Sequence, residues 1–70
     1  RIAVDRNGNI YLAASRGMGA VVLDAQGSYI ETMTPMEDGR VVRITNVSID
    51  GSGRIYLVSE DRGRVYVYDR

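Results

Sequence analysis

The sequence predicts an all-β fold built from repeated antiparallel sheets, and three observations predict it. Shifting the chain by 45 residues aligns residues 1 to 25 with 46 to 70 without a gap. Seven pairs are then identical, among them Asp5 with Asp50, Gly8 with Gly53, and Ile10-Tyr11-Leu12 with Ile55-Tyr56-Leu57. A fixed period of this length marks a repeat architecture. The apolar runs are short, rich in β-branched residues and bounded by glycines, as strands and turns require. No segment carries an apolar stripe of helical period over a dozen residues, so no amphipathic helix is expected.

Ile2 to Val4 forms the first strand, closed by Asp5-Arg6-Asn7-Gly8-Asn9. In such a turn Asp bonds backbone amides and Gly supplies a positive φ. Ile10 to Ala14 is the second strand, and the glycines of Ser15-Arg16-Gly17-Met18-Gly19 mark the next connection. Ala20 to Leu23 is the third strand, and Asp24-Ala25-Gln26-Gly27 signals a hairpin. Ser28 to Met33 alternates polar and apolar residues, as an outer, half-exposed strand should. Pro35 and Glu37-Asp38-Gly39 break the pattern, because Pro cannot donate to a ladder. The second copy restarts at Val47-Ser48-Ile49, turns at Asp50-Gly51-Ser52-Gly53, and runs Ile55 to Val58 and Val65 to Tyr68. The expectation is seven strands in two sheets, with turns near Gly8, Gly27 and Gly53.

The second and third strands of each copy are apolar on both faces, which suits a sheet covered on both sides by neighbours. Period, strand count and two-faced apolarity together predict β-propeller blades, four-stranded sheets set around a channel. The first blade spans 1–40, a linker and an incomplete second blade span 41–70, and the chain reads as a fragment of a larger propeller. Ile-Ala-Val-Asp-x-x-Gly-x-Ile-Tyr-Leu-Ala from Ile2, followed by Val-Val-Leu-Asp-x-x-Gly-x-Tyr-Ile from Val21, resembles the NHL repeat, a blade of six-bladed propellers. The Asn-His-Leu stretch that names that family would fall near Arg16 to Ala20 and is absent, so gluconolactonase-like six-bladed propellers stay open beside it. The resemblance implies other blades of the same propeller as partners and, through them, a scaffold for protein–protein interaction. A fragment of a lactonase-like hydrolase is the alternative; such enzymes place Glu, Asn and Asp around a channel calcium, whereas the inner strands here offer only Asp5 and Asp50. A third reading is a structural subunit that pairs strand edges into a ring or filament.

Composition narrows the chemistry. The chain has nine Arg and no Lys, nine acidic residues, zero formal charge, and no His, Cys, Trp or Phe. Without imidazole or thiolate there is no His base, no Cys nucleophile and no tetrahedral zinc set, and no cofactor is expected. Interspersed charges give no cationic stripe for nucleic acid. No apolar run approaches the length of a membrane span. The absence of Cys suits an exported or a cytosolic protein alike. In 70 residues, 44% of them apolar, the core is small.

Several local patterns could carry function. Asp5-Arg6-Asn7-Gly8-Asn9 presents oxygens as a calcium loop does, but Asp50-Gly51-Ser52-Gly53 lacks the Asn oxygens and no bidentate Glu follows; Asp5 and Asp50 are therefore expected to bond their own turn amides and to hold no metal. Arg16-Gly17-Met18-Gly19 lacks the helix and the Lys-Ser or Lys-Thr pair of a phosphate cradle. Tyr11 and Tyr56 are repeat-equivalent and are expected to pack between blades with the hydroxyl near an edge. Tyr66 and Tyr68 stand where the first blade has Val21 and Leu23 and are expected to pack, with an aromatic surface as the alternative. In the isolated segment these four residues would add exposed apolar area and Val65 to Tyr68 an unpaired edge, so that it would not fold alone as a monomer. Propeller function sits on loops at one end of the channel. Those loops hold Ser15, Arg16 and Met18 in the first blade, Arg43, Thr45 and Asn46 in the linker, and Glu60, Asp61 and Arg62 in the second blade. These nine residues form the expected interaction surface.

Overall fold

The computed structural model describes residues 1–13 and 19–69. β1 (Ile2–Val4), β2 (Ile10–Ala13), β3 (Ala20–Leu23) and β4 (Tyr29–Met33) form an antiparallel meander in chain order. A separate hairpin pairs β5 (Met36–Glu37) with β6 (Arg40–Val41). A second meander contains β7 (Asn46–Ile49), β8 (Arg54–Ser59) and β9 (Arg64–Asp69). Among the described residues all regular structure is β, as the hydrophobic pattern requires.

The strand count departs from expectation, with nine strands in three sheets among the described residues instead of seven in two. The two additional strands flank Asp38-Gly39, whose φ angles are +52° and +74°. Two successive positive φ values make the mirror-image turn that closes two-residue hairpins. The segment that breaks the first sheet thus starts a hairpin, and Pro35 contributes by accepting the Val42 N–H on its carbonyl at 2.8 Å.

Three turns share one construction. In Asp5–Gly8, Asp24–Gly27 and Asp50–Gly53 the Gly N–H donates to the Asp carbonyl at 3.0, 2.9 and 3.1 Å. Each glycine has φ of +86° to +88°, a left-handed conformation that an L side chain strains to adopt. Each Asp Oδ1 accepts the backbone N–H groups two and four residues on, all at 2.9 Å. Each turn is closed by residues inside it, so the same short motif serves three of the hairpins.

Alternation along the strands sorts side chains onto faces. In the first sheet Ala3, Tyr11 and Val22 lie in one cross-strand row, and Ala13, Ala20 and Met33 in another on the same face. The opposite face carries Ile2, Leu12 and Val21, then Val4, Ile10 and Leu23. In the second meander Val47, Leu57 and Tyr66 share a face with Ile49, Ile55 and Tyr68. The core consists of the Tyr11 face of the first sheet and the Leu57 face of the second, with Val42 and Ile44 buried from the segment between β6 and β7. β1 and β7, the first strands of the two meanders, lie side by side.

This arrangement bears out packing for Tyr66 and Tyr68 and takes them out of the expected exposed apolar area. Their register opposite Leu57 and Ile55 puts them on the buried face. Val65 and Val67 take the exposed places instead, each at 54% exposure. Tyr11 and Tyr56 also differ in burial although they are repeat-equivalent: Tyr11 is 2% exposed, whereas Tyr56 is only half-buried on the outer face of its sheet.

Leu12 and Leu57 occupy the same place in the repeat, yet Leu57 is fully buried and Leu12 half-buried. Leu57→Ala is expected to cost about 2–5 kcal/mol and Leu12→Ala less than half of that. Urea unfolding of the monomeric chain, at one fixed concentration too low for copies to associate, distinguishes them, and equal losses would contradict the direction of stacking. Gly19, at φ +88°, is also closed by space: a Cβ there would collide with the Met33 carbonyl oxygen, while one on Gly27 would meet nothing. Gly27→Ala should cost about 1–2 kcal/mol for the backbone alone. Gly19→Ala should cost roughly 1–3 kcal/mol more in the same measurement.

Candidate functional site

The meanders give the molecule two ends. The Asp5, Asp24 and Asp50 turns share one of them: the Arg6 guanidinium donates to the Gly51 carbonyl, and Gly8 sits close against Ala25. The other end carries the start of β7 and the β8–β9 turn, in which the Gly63 N–H donates to the Glu60 carbonyl at 3.2 Å.

At the turn end an open cleft of about 380 Å³ lies between the Asp5 and Asp50 turns, lined by Asp5, Arg6, Asn7, Asn9, Tyr11, Ser52 and Gly53. Most of its polar groups are spent within the fold. Tyr11 and Asn9 donate to Asp5 Oδ2 at 3.1 and 3.2 Å. In the second copy Tyr56 donates to Asp50 Oδ2 at 2.7 Å, and Ser52 Oγ donates to Asp50 Oδ1 at 2.8 Å. Hence Asp5 and Asp50 do bond their own turn amides, and the repeated Tyr is explained by the same carboxylate. Burial alone would push the Asp5 carboxyl up, but the N–H groups of Asn9 and Asn7, with the Asn9 amide and the Tyr11 hydroxyl, bring it below its ordinary value. The Tyr56 hydroxyl, then the Arg54 N–H and Ser52, hold Asp50 far below the usual carboxylate range against a smaller opposing effect of burial. Among the described residues no group of three or more His, Cys, Asp or Glu is gathered as a metal site would need.

The other end holds six of the nine expected surface residues. Arg43 faces Asp61 at 3.7 Å with both side chains more than half exposed. A pair so exposed contributes at most about 1 kcal/mol, so both charges stay accessible. Glu60 is exposed beside them. Thr45 and Asn46 serve their own strand: Thr45 Oγ1 donates to the Val58 carbonyl at 3.2 Å, and Asn46 Oδ1 accepts the Val47 N–H at 2.8 Å. Arg62 donates to Glu37 Oε2 at 3.1 Å. Ser15, Arg16 and Met18 lie outside the described residues.

Sequence reasoning missed Glu37. Its two carboxylate oxygens accept Arg62 and Arg64, the latter at 2.6 Å, and so pin the β5–β6 hairpin to the start of β9. Tyr66 lies beside this group; burial, then the Glu37 carboxylate, raises its pKa, and its oxygen falls short of hydrogen-bond geometry. The signal was present in Asp38-Gly39, which makes a hairpin of the segment carrying Glu37, and in two arginines spaced by two. No known family, curated protein or solved structure matches this chain.

A carboxyl that titrates lower in the folded than in the unfolded chain contributes stability in full above its unfolded value, and that contribution is lost as pH falls through the folded value. Both Asp5 and Asp50 are lowered from 3.8. Stability is therefore expected to be flat above about pH 5 and to fall steeply in more acid solution. Asp50→Asn should be less stable at neutral pH and should lose less on acidification. Urea titrations across the acid range check both slopes, and parallel curves would contradict the role given to Asp50.

Proposed function

We propose that the two meanders are blades of a β-propeller of NHL-repeat type, and that the chain acts as a non-catalytic scaffold presenting its loop end to a protein partner. The observation that carries the reading is the use of opposite faces. The Tyr11 face of the first sheet packs on the Leu57 face of the second, and these are the two different faces of one repeat. Stacking unlike faces with first strands adjacent is how identical blades follow one another around a channel.

The partner side rests on the contrast between the ends. Carboxylates at the turn end are consumed by amides and tyrosines. At the loop end Arg43, Glu60 and Asp61 remain exposed on a frame fixed by Thr45, Asn46 and Glu37. Charged, exposed loops on a sheet scaffold are where binding concentrates.

Photocrosslinking from the full chain in its host cells tests this. A crosslinking side chain at Arg43 or Glu60 should give adducts with one common protein, and the same group at Gln26 on the turn end should not. Adducts from position 26 alone, or equal labelling at all three, would overturn the assignment.

A further inference from the structure

The internal interface uses only one face of each sheet, and the two faces left over are its counterparts. The first sheet leaves Ile2 and Val4 exposed at 63% and 58%, beside half-buried Leu12 and Val21. The second leaves Val65 and Val67 exposed beside half-buried Tyr56 and Val58. By the shift of 45, Ile2, Val4 and Leu12 correspond to Val47, Ile49 and Leu57, which pack in the core. Likewise Val65, Val67 and Tyr56 correspond to buried Ala20, Val22 and Tyr11. We infer that a second copy of this chain stacks head to tail on the first, the Leu12 face of one copy covering the Tyr56 face of the next. The inference rests on the blade reading given above and not on the protein partner at the loop end.

Side-chain volumes favour this occupant. Within the chain, the Tyr11 face offers the small Ala13 and Ala20, and the opposing sheet brings the large Tyr66 and Tyr68 to the same core. On the free faces the sizes are exchanged. Val58 and Val65 stand where Ala13 and Ala20 stand, and Val21 and Leu23 stand where Tyr66 and Tyr68 stand. At these four pairs of positions a gain on one surface is met by a loss on the other, the kind of compensation that cores tolerate. A symmetric contact, Tyr56 face on Tyr56 face, would set the enlarged residues against each other. Head-to-tail contacts leave a free face at each end of any pair, so association continues to a ring or a filament instead of stopping at a dimer.

Complementation by sedimentation provides the test. Val4→Glu places a charge on the Leu12 face and Val67→Glu on the Tyr56 face, each outside the internal interface; burying an unpaired carboxylate should weaken association by roughly a hundredfold or more. The wild-type chain should sediment above dimer mass, each variant alone as a monomer, and their equimolar mixture as a one-to-one dimer with a dispersed amide spectrum. A monomeric wild type, a variant that self-associates as strongly as the mixture, or a mixture that stays monomeric would overturn the inference. Should the Glu variants fail to fold, the isosteric Val4→Thr and Val67→Thr should each raise the self-dissociation constant about tenfold with unchanged circular dichroism. An unchanged constant overturns the inference as well. Retention of the loop-end crosslinks in the Glu variants would separate failure here from failure of the partner assignment.

Discussion

Removing water from between the Tyr11 face of the first sheet and the Leu57 face of the second is the step on which the remaining structure depends. A lone meander of three or four short strands needs an apolar face covered before it is stable, and each sheet covers the other. Tyr11, Ile55 and Leu57 are each 2% exposed or less, and Val42 and Ile44 seal the same volume from the intervening segment. That segment is therefore more than a tether. Its position is set from one side by Pro35 and Val42 and from the other by Glu37 on Arg62 and Arg64, so the relative placement of the sheets is fixed by packing and by charge together.

With the core spent on holding sheet to sheet, the hairpins are closed by local chemistry. The Asp-x-x-Gly turn satisfies its own amides through a single carboxylate oxygen, and in the first turn of each meander the other oxygen takes a Tyr hydroxyl. The Tyr is six residues from its Asp and stands on the strand leaving the turn, so the bond couples the turn to the sheet. Ionised Asp is the form that all these donors favour. This explains why Asp5 and Asp50 both titrate below the ordinary range, though the Tyr11 partner of one lies in the core and the Tyr56 partner of the other on an outer face.

The strand order and the three Asp turns were legible because each follows from a short-range rule: alternation, Asp at the start of a turn, Gly at its end. The direction of stacking was not. Packing of Tyr66 and Tyr68 was legible, but not against what, because neither the period nor composition states which of two apolar faces finds its partner within the chain; register opposite Leu57 and Ile55 decides it. The β5–β6 hairpin was hidden by Pro35, which stops the first sheet but stands one residue before β5 and so leaves its pairing across Asp38-Gly39 intact. Of the expected surface, Arg43 and Asp61 meet across the loop end, while Thr45 and Asn46 turn out to close the start of β7. Polar residues that begin a strand serve its backbone and a partner with the same atoms, and sequence does not separate the two uses.

The two edge strands bear on how copies could meet. β4 shifts register between Val22 and Leu23, leaving Ile30 out of the pairing, and a bulge of this kind bends an edge away from further strands. β9 pairs with β8 without interruption from Arg64 to Asp69, so its outer edge is the straighter of the two. Edge pairing through β9 alone would leave Val65 and Val67 in water, since these side chains project from the sheet face and not from its edge. Stacking covers them whether or not the edge is paired. The apolar area that must leave water therefore favours contact through the face, and backbone pairing along β9 can follow once a neighbour is in place.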